Sequence, residues 1–448
     1  MMTHIIIDET KQAISGMKML AQALSRRFAS SGIYYGWMIV AVTFLVSLTT
    51  AGAMGLPGAL ILPLGREFGW NTEQISGALA LRILLYGLMA PFAAALIERY
   101  GLKRIILSAL LLIACGLLLA LAMNKFWQMV VLWGFVVGFG TGMTALVMSA
   151  IVATRWFTER RGLVIGVLTA SSATGQLVFL PLAAWLETRY GWRMALAPSL
   201  VGLSLAALAV FLFMVDRPAD VGLLPYGETG KVSPPPAQAP AFSSALRVLG
   251  EVSGSSTFWV LAATFFICGL STNGLIQTHF IPLCADFGVP AVTAASMLAM
   301  MGIFDFFGTI ASGWLSDRYD NRALLFMYYG LRGLALLYLP GSSFTLFGLS
   351  IFAVFYGLDW IATVPPTARL AAQTFGRDRA GVAFGWIFAS HMVGAAVAAY
   401  GAGYSRTTLQ TYLPAFYVAG ALCLVAAMLV WLIQRRPAPV AAPARAAA

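Results

Sequence analysis

The sequence predicts an all-α membrane protein with twelve transmembrane helices in two six-helix pseudosymmetric bundles, and three observations predict it. Of 448 residues, 60% are hydrophobic and only 10% charged, with a mean hydropathy of +0.83. A soluble chain of this length needs roughly a quarter of its residues charged to cover its surface. The apolar residues form continuous runs of about 20, the length that crosses a hydrocarbon core. The same residue pattern occurs twice, at one fixed spacing.

The spans fall near 36–62, 74–97, 105–123, 129–153, 163–187, 194–214, 257–283, 293–316, 323–340, 343–367, 381–403 and 412–434. Barrel strands alternate in polarity and these runs do not, so a β-barrel is excluded. Of the 28 Lys and Arg, 21 fall on the side of both termini and five on the other; Arg82 and Arg332 lie inside spans. Cytoplasmic loops carry the basic excess, which places both termini in the cytoplasm of a multi-pass plasma (inner) membrane protein. The net charge of +11 is strung between apolar runs rather than gathered on one face, so no nucleic-acid partner is expected. Cys115, Cys268, Cys284 and Cys423 form no CxxC pair and read as small apolar side chains, with no metal or cofactor implied.

Five segments follow: an N-terminal stretch 1–35, a bundle 36–214, a linker 215–256, a bundle 257–434 and a tail 435–448. The N-terminal stretch has no compact apolar core for a signal peptide. Thr10–Arg27 interleaves Ile14, Met17, Leu20 and Leu24 with Lys11, Lys18, Arg26 and Arg27, a basic amphipathic helix on an anionic leaflet or a plain basic tail. The linker, rich in Pro, Gly and Ser around Pro234–Pro236, has no core of its own.

The repeat is read directly. Pro63–Leu64 recurs as Pro282–Leu283, Arg99–Tyr100 as Arg318–Tyr319, and Gly162, Gly166 and Gly175 as Gly381, Gly385 and Gly394, every pair offset by 219 positions. Two such halves, related by an axis along the membrane normal, rock against each other and expose an interface site alternately to each side. No GxxxxGK[ST] loop, nucleophile–base pair or metal cluster occurs. The chain reads as a secondary transporter, not an enzyme.

The loop after span two, Ala94-Ala95-Leu96-Ile97-Glu98-Arg99-Tyr100-Gly101-Leu102-Lys103-Arg104, and its partner Gly313-Trp314-Leu315-Ser316-Asp317-Arg318-Tyr319-Asp320-Asn321-Arg322, resemble the G-x-L-x-D-R-x-G-R-K signature of the major facilitator superfamily. The resemblance implies that Glu98 and Asp317, with Arg99, Lys103, Arg104, Arg318 and Arg322, latch helices at the cytoplasmic face and let go when the halves rock. Arg155-Trp156-Phe157-Thr158-Glu159-Arg160-Arg161-Gly162, continuing to Gly175, resembles the span-five entry of the monocarboxylate porter and oxalate–formate exchanger families. Glu159 stands where those have Lys. Gly162, Gly166 and Gly175 are suited to close helix approach.

Five ionisable side chains fall within spans, where a lone charge costs about 2.5–3.5 kcal/mol: Arg82, Asp305, Arg332, Asp359 and His391. Asp305 lies roughly 18 Å into span eight and matches the porters' coupling Asp, but the Arg expected one turn later is Thr309, and span one has no Lys in Gly55-Leu56-Pro57-Gly58. It is either a proton-coupling, substrate-facing group or a structural carboxyl. His391 stands in the helix where the exchangers have Lys. It is a titratable cation there or a neutral strut. Arg82, with Tyr86 one turn on, is the candidate fork for a substrate carboxylate, or else snorkels to the interface. Asn273 and Gln277 share a face of span seven and suit a polar substrate; Gln176, Thr144 and Thr363 are weaker candidates of that kind. Arg332 and Asp359, on consecutive helices, suit a structural ion pair. The reading is a monomeric transporter of small organic anions, monocarboxylate-like, by proton symport or exchange for a counter-anion; the alternative is a facilitator-type efflux antiporter for drugs or amphipathic compounds. Such pumps carry a Gly-Pro-rich span five, and here Pro181 has no adjacent Gly.

Overall fold

A computed structural model describes residues 25–28, 30–144, 146–229 and 241–433. The candidate amphipathic segment before Ser25 and the tail from 434 lie outside the described residues. The spans are α1 Gly36–Phe68, α2 Thr72–Tyr100, α3 Leu102–Ala120, α4 Phe126–Trp156, α5 Arg161–Tyr190, α6 Trp192–Phe213, α7 Ser256–Asp286, α8 Ala291–Ser316, α9 Asn321–Ser342, α10 Leu346–Phe375, α11 Arg377–Leu409 and α12 Leu413–Leu432. Among the described residues eleven helices are long and apolar enough to cross a membrane; α5, 30 residues long, fills the remaining place. The protein is a multi-pass membrane protein. The end of the bundle where α1 begins and α2 ends is called the basic face below, the opposite end the far face.

Local chemistry sets the helix ends. Asn71 accepts from the Gln74 N–H at 2.8 Å while Gln74 Oε1 accepts from the Asn71 N–H at 3.1 Å, a reciprocal cap that starts α2. Asp320 caps α9 at the Arg322 N–H, 3.0 Å away. Between α2 and α3 the chain turns at Gly101 with φ +93°. A side chain there would also collide with the Asp216 carboxylate, which accepts from the Lys103 N–H at 2.7 Å.

Two large hydrophobic cores form, largely one per half, beside a small cluster of Leu324, Tyr328 and Ala362. The second also takes in Ala59, Ile83, Ala90, Leu180 and Ala184 of the first half, so the halves meet over apolar surface. The seam is built by α2 on α11, α5 on α8 and α1 on α7. Glycines bring backbones together there: a Cβ on Gly58 would lie 2.6 Å from the Gln277 carbonyl oxygen, and one on Gly87 2.2 Å from Met392 Cβ. Gly175 likewise seats α5 on Leu48 of α1, but nothing lies within 4 Å of a Cβ at Gly162 or Gly166. Close helix approach is therefore the role of Gly175 alone among these three.

The linker has more structure than its composition predicts. Its first part docks on the N-terminal half: the Tyr226 N–H donates to the Trp156 carbonyl at 2.8 Å, and Tyr34 Oη donates to the Leu224 carbonyl at 2.9 Å. Ala241–Val252 is a helix held to α11 by Trp386 Nε1 on the Ala245 carbonyl at 3.0 Å and by Arg379–Glu251 at 3.3 Å.

Candidate functional site

Three helices bring polar side chains together near the seam. α7 widens into a π-helical turn over Leu270–Ile276, a local defect of the sort that recurs at functional sites. From that turn Asn273 Oδ1 meets His391 Nε2 of α11 at 3.0 Å. Asn273 Nδ2 donates to Gln277 Oε1 at 2.6 Å. α7 and α11 can approach this closely because Gly269, Gly274 and Gly394 carry no Cβ; one on Gly269 would sit 1.8 Å from the His391 carbonyl oxygen. His391 stacks on Phe388, 5.7 Å between ring centres, and Phe388 meets Tyr86 of α2 edge-on at 6.0 Å. Thus Tyr86, Phe388, His391, Asn273 and Gln277 form one chain of contacts from α2 across the seam to α7. Sequence spacing gave every polar member but not Phe388, an aromatic among 29 Phe with nothing to single it out.

Arg82 lies one turn from Tyr86 and is 3% exposed. Its guanidinium turns to α1: Nη2 donates to the Met54 carbonyl at 3.1 Å and Nη1 to the Ala53 carbonyl at 3.4 Å. Nε is buried with no hydrogen-bond partner. Both acceptors are neutral, and Arg82 makes no ion pair with a described residue.

Asp305 sits elsewhere, on the α8 face packed against α10. α10 breaks between Asp359 and Val364, ahead of Pro365 and Pro366, and the freed backbone groups are taken up by buried side chains. Asp305 Oδ1 accepts from the Ile361 N–H at 2.8 Å and from Thr309 Oγ1 at 3.0 Å. Arg332 donates to the carbonyls of Asp359 and Trp360, and Ser312 Oγ to that of Ala362. Irregular backbone survives at membrane depth only with such partners. Arg332 Nε also meets Asp359 Oδ2 at 2.7 Å, both side chains buried; its Nη1 reaches Cys268 Sγ at 2.8 Å. Thr309, one turn on, is thus a ligand of Asp305 itself. No hydrogen bond joins Asp305 to His391.

His279 bridges α7 to the Ala399 carbonyl of α11 at 2.8 Å. Thr144 bonds back to its own helix and Thr363 to Cys268, so neither joins the chain at the seam. The side chain of Gln176 lies outside the described residues.

At the basic face Asp317 of α8 pairs with Arg369 of α10. Arg322 binds Asp320 at 2.8 Å and the Ile433 carbonyl at 3.1 Å, and Arg318 packs over Trp314. Arg99 lies over the Tyr100 ring and the Lys103 amine 5.7 Å from the Phe211 ring centre. Each of these contacts stays inside one half.

Two six-helix halves with buried polar groups along their seam define a membrane transporter fold. The chain belongs to the Major Facilitator Superfamily, whose profile matches residues 40–399. It is similar to monocarboxylate transporter 13 of Rattus norvegicus, 26% identical over 392 residues and covering 87% of each chain. It is also similar to the uncharacterized MFS-type transporter YcxA of Bacillus subtilis, 24% identical over 378 residues, 82% of this chain and 87% of that one. Among solved structures, the D-xylose-proton symporter superposes with a TM-score of 0.66 at 12% identity, covering 90% of this chain and 98% of the other. That likeness concerns the fold.

Proposed function

We propose that the protein is a secondary active transporter of small organic anions, monocarboxylate-like, working as a monomer by alternating access with a proton or a counter-anion. Its basic face is cytoplasmic and its membrane the plasma (inner) membrane, with both termini inside. The observation that carries the reading is Arg82, a buried guanidinium beside the seam that has only neutral carbonyl partners and a nitrogen, Nε, with no partner at all. A buried cation without a counter-charge is costly, and a carboxylate offers both the missing charge and a fork for the planar donors. Tyr86, Asn273, Gln277 and His391 supply hydrogen bonds to the rest of the substrate. Several relatives are named monocarboxylate transporters, which supports the substrate class.

Asp305 is the proposed proton carrier. It is buried, and its protonation weakens Oδ1 as the acceptor of the Ile361 N–H at the break of α10. Proton binding would thereby be felt by a helix of the moving half. His391, across α7, is the second titratable group. Purified protein in liposomes should accumulate labelled monocarboxylates when an inward proton gradient or an outward anion gradient is imposed. Failure with every carboxylate offered, together with export of a cationic dye, would favour the drug-efflux reading instead.

A further inference from the structure

The idle hydrogen-bonding capacity around Arg82 has a source in the sequence of α1. Pro57 lies inside this helix and has no N–H, so the Ala53 carbonyl, four residues earlier, has no helical donor. Arg82 of α2 fills that place, with Nη1 on Ala53 and Nη2 on Met54. One residue beyond the proline, Gly58 rests against the Gln277 carbonyl of α7. That is a seam contact between the halves, and Gln277 ends the polar chain from His391.

We propose that Pro57 makes Arg82 a switch between two acceptors, the α1 carbonyls at Ala53, orphaned by the proline, and Met54 beside it when the site is empty, and a substrate carboxylate when it is filled. The inference rests on the reading of Arg82 as the anion anchor and adds what its capture does. With the guanidinium drawn to the anion, α1 loses this side-chain support at the proline. The segment that carries Gly58 then shifts against α7, and the seam between the halves loosens at its far end. Pro57 is a positioning residue: it touches no substrate, yet it decides what Arg82 does when none is bound. A helix with an ordinary residue at 57 would satisfy its own carbonyl and leave Arg82 uncoupled from α1.

The test needs no substrate. Ala80, on α2 and packed against the core of the opposite half, is replaced by Cys in a Cys115→Ala chain, since Cys268, Cys284 and Cys423 are buried. Its alkylation by a membrane-impermeant maleimide from the far face reports opening of the seam. Arg82→Ala removes the support as an anion would, and should change the alkylation rate at least threefold. In a Pro57→Ala chain the same Arg82→Ala change should have no effect, because Ala53 then has its helical donor. Effects of Arg82→Ala that are equal in the two backgrounds overturn the switch, as does no effect of Arg82→Ala with Pro57 intact. Pro57→Gly, which restores the N–H without a side chain, repeats the test should Pro57→Ala misfold. Uptake assays judge the anion reading separately: transport of carboxylates with additive alkylation effects would leave that reading standing and remove this one.

Discussion

At the scale of single residues, the decisive quantity is whether a buried charge has a partner of opposite sign. Arg332 has one in Asp359 at 2.7 Å; Arg82 has carbonyls only. The two arginines should therefore respond differently to substitution. Arg332→Met leaves the Asp359 charge buried and the carbonyls of α10 unserved, a loss of about 3–5 kcal/mol, visible as a fall in thermal unfolding temperature in detergent. Arg82→Lys should unfold nearly normally yet transport at least tenfold more slowly, because an ammonium keeps the charge without the planar fork. Near-normal uptake in Arg82→Lys would show that the charge, not the fork, matters and would move Arg82 to a structural role. Asp305→Asn mimics a permanently protonated group. It should abolish accumulation driven by a proton gradient while sparing substrate exchange, which moves no net proton; concentration of substrate by Asp305→Asn against a gradient would exclude Asp305 as the coupling group.

At the scale of helices, the spans and the glycine-seated contacts follow from physics that acts along the sequence. Apolar length gives a span, and a polar residue inside one announces itself by its cost. For that reason Arg82, Asp305, Arg332, Asp359 and His391 stand out before any coordinates, and the fixed offset of 219 gives the two halves. The partners of those residues were less legible. Asp305 bonds the Ile361 N–H and Arg82 bonds Ala53 and Met54; backbone groups have no sequence signature, and only Pro57 and Pro365–Pro366 hint at where they are set free. The glycines divide in the same way. Gly162 and Gly175 look equally suited to packing in sequence, but only Gly175 faces another helix. Gly308 faces the Leu358 carbonyl so closely that a Cβ would lie 1.9 Å away. Gly308→Ala must push α8 off α10 beside Asp305, and overpacking of this kind costs typically 1–3 kcal/mol. The expected result is a lower unfolding temperature together with impaired proton coupling; an unchanged protein would mean that α10 yields freely at its break.

At the scale of the whole molecule, the question is what holds the halves in one orientation. The seam is tight along α2 and α11, from the far face, where Tyr400 Oη donates to Glu73 at 2.7 Å and the Glu73 N–H to Thr407 Oγ1 at 3.1 Å, to Phe92 on Trp386 toward the basic face. At the basic face two charges of the second signature loop bind within their own half, Asp317 to Arg369 and Arg322 to Asp320. A latch that resists rocking must join the halves in one state and release them in the other. In this state Asp317 is held by Arg369 of its own bundle, so a pairing of Asp317 across the seam would belong to the other orientation and would first need this pair to open. Removing the Asp317 charge should then free Arg369 and shift the balance between the two orientations without touching Arg82, His391 or Asn273. Asp317→Asn and Glu98→Gln are therefore expected to change cysteine labelling from the two sides in opposite directions while substrate affinity stays within about twofold. The exposed setting of the Asp317–Arg369 pair limits its worth to roughly 1 kcal/mol or less, so the labelling shift should be about fivefold at most and should shrink in high salt. Labelling that is identical to the parent from both sides in both variants would show that these carboxylates do not govern the orientation of the halves.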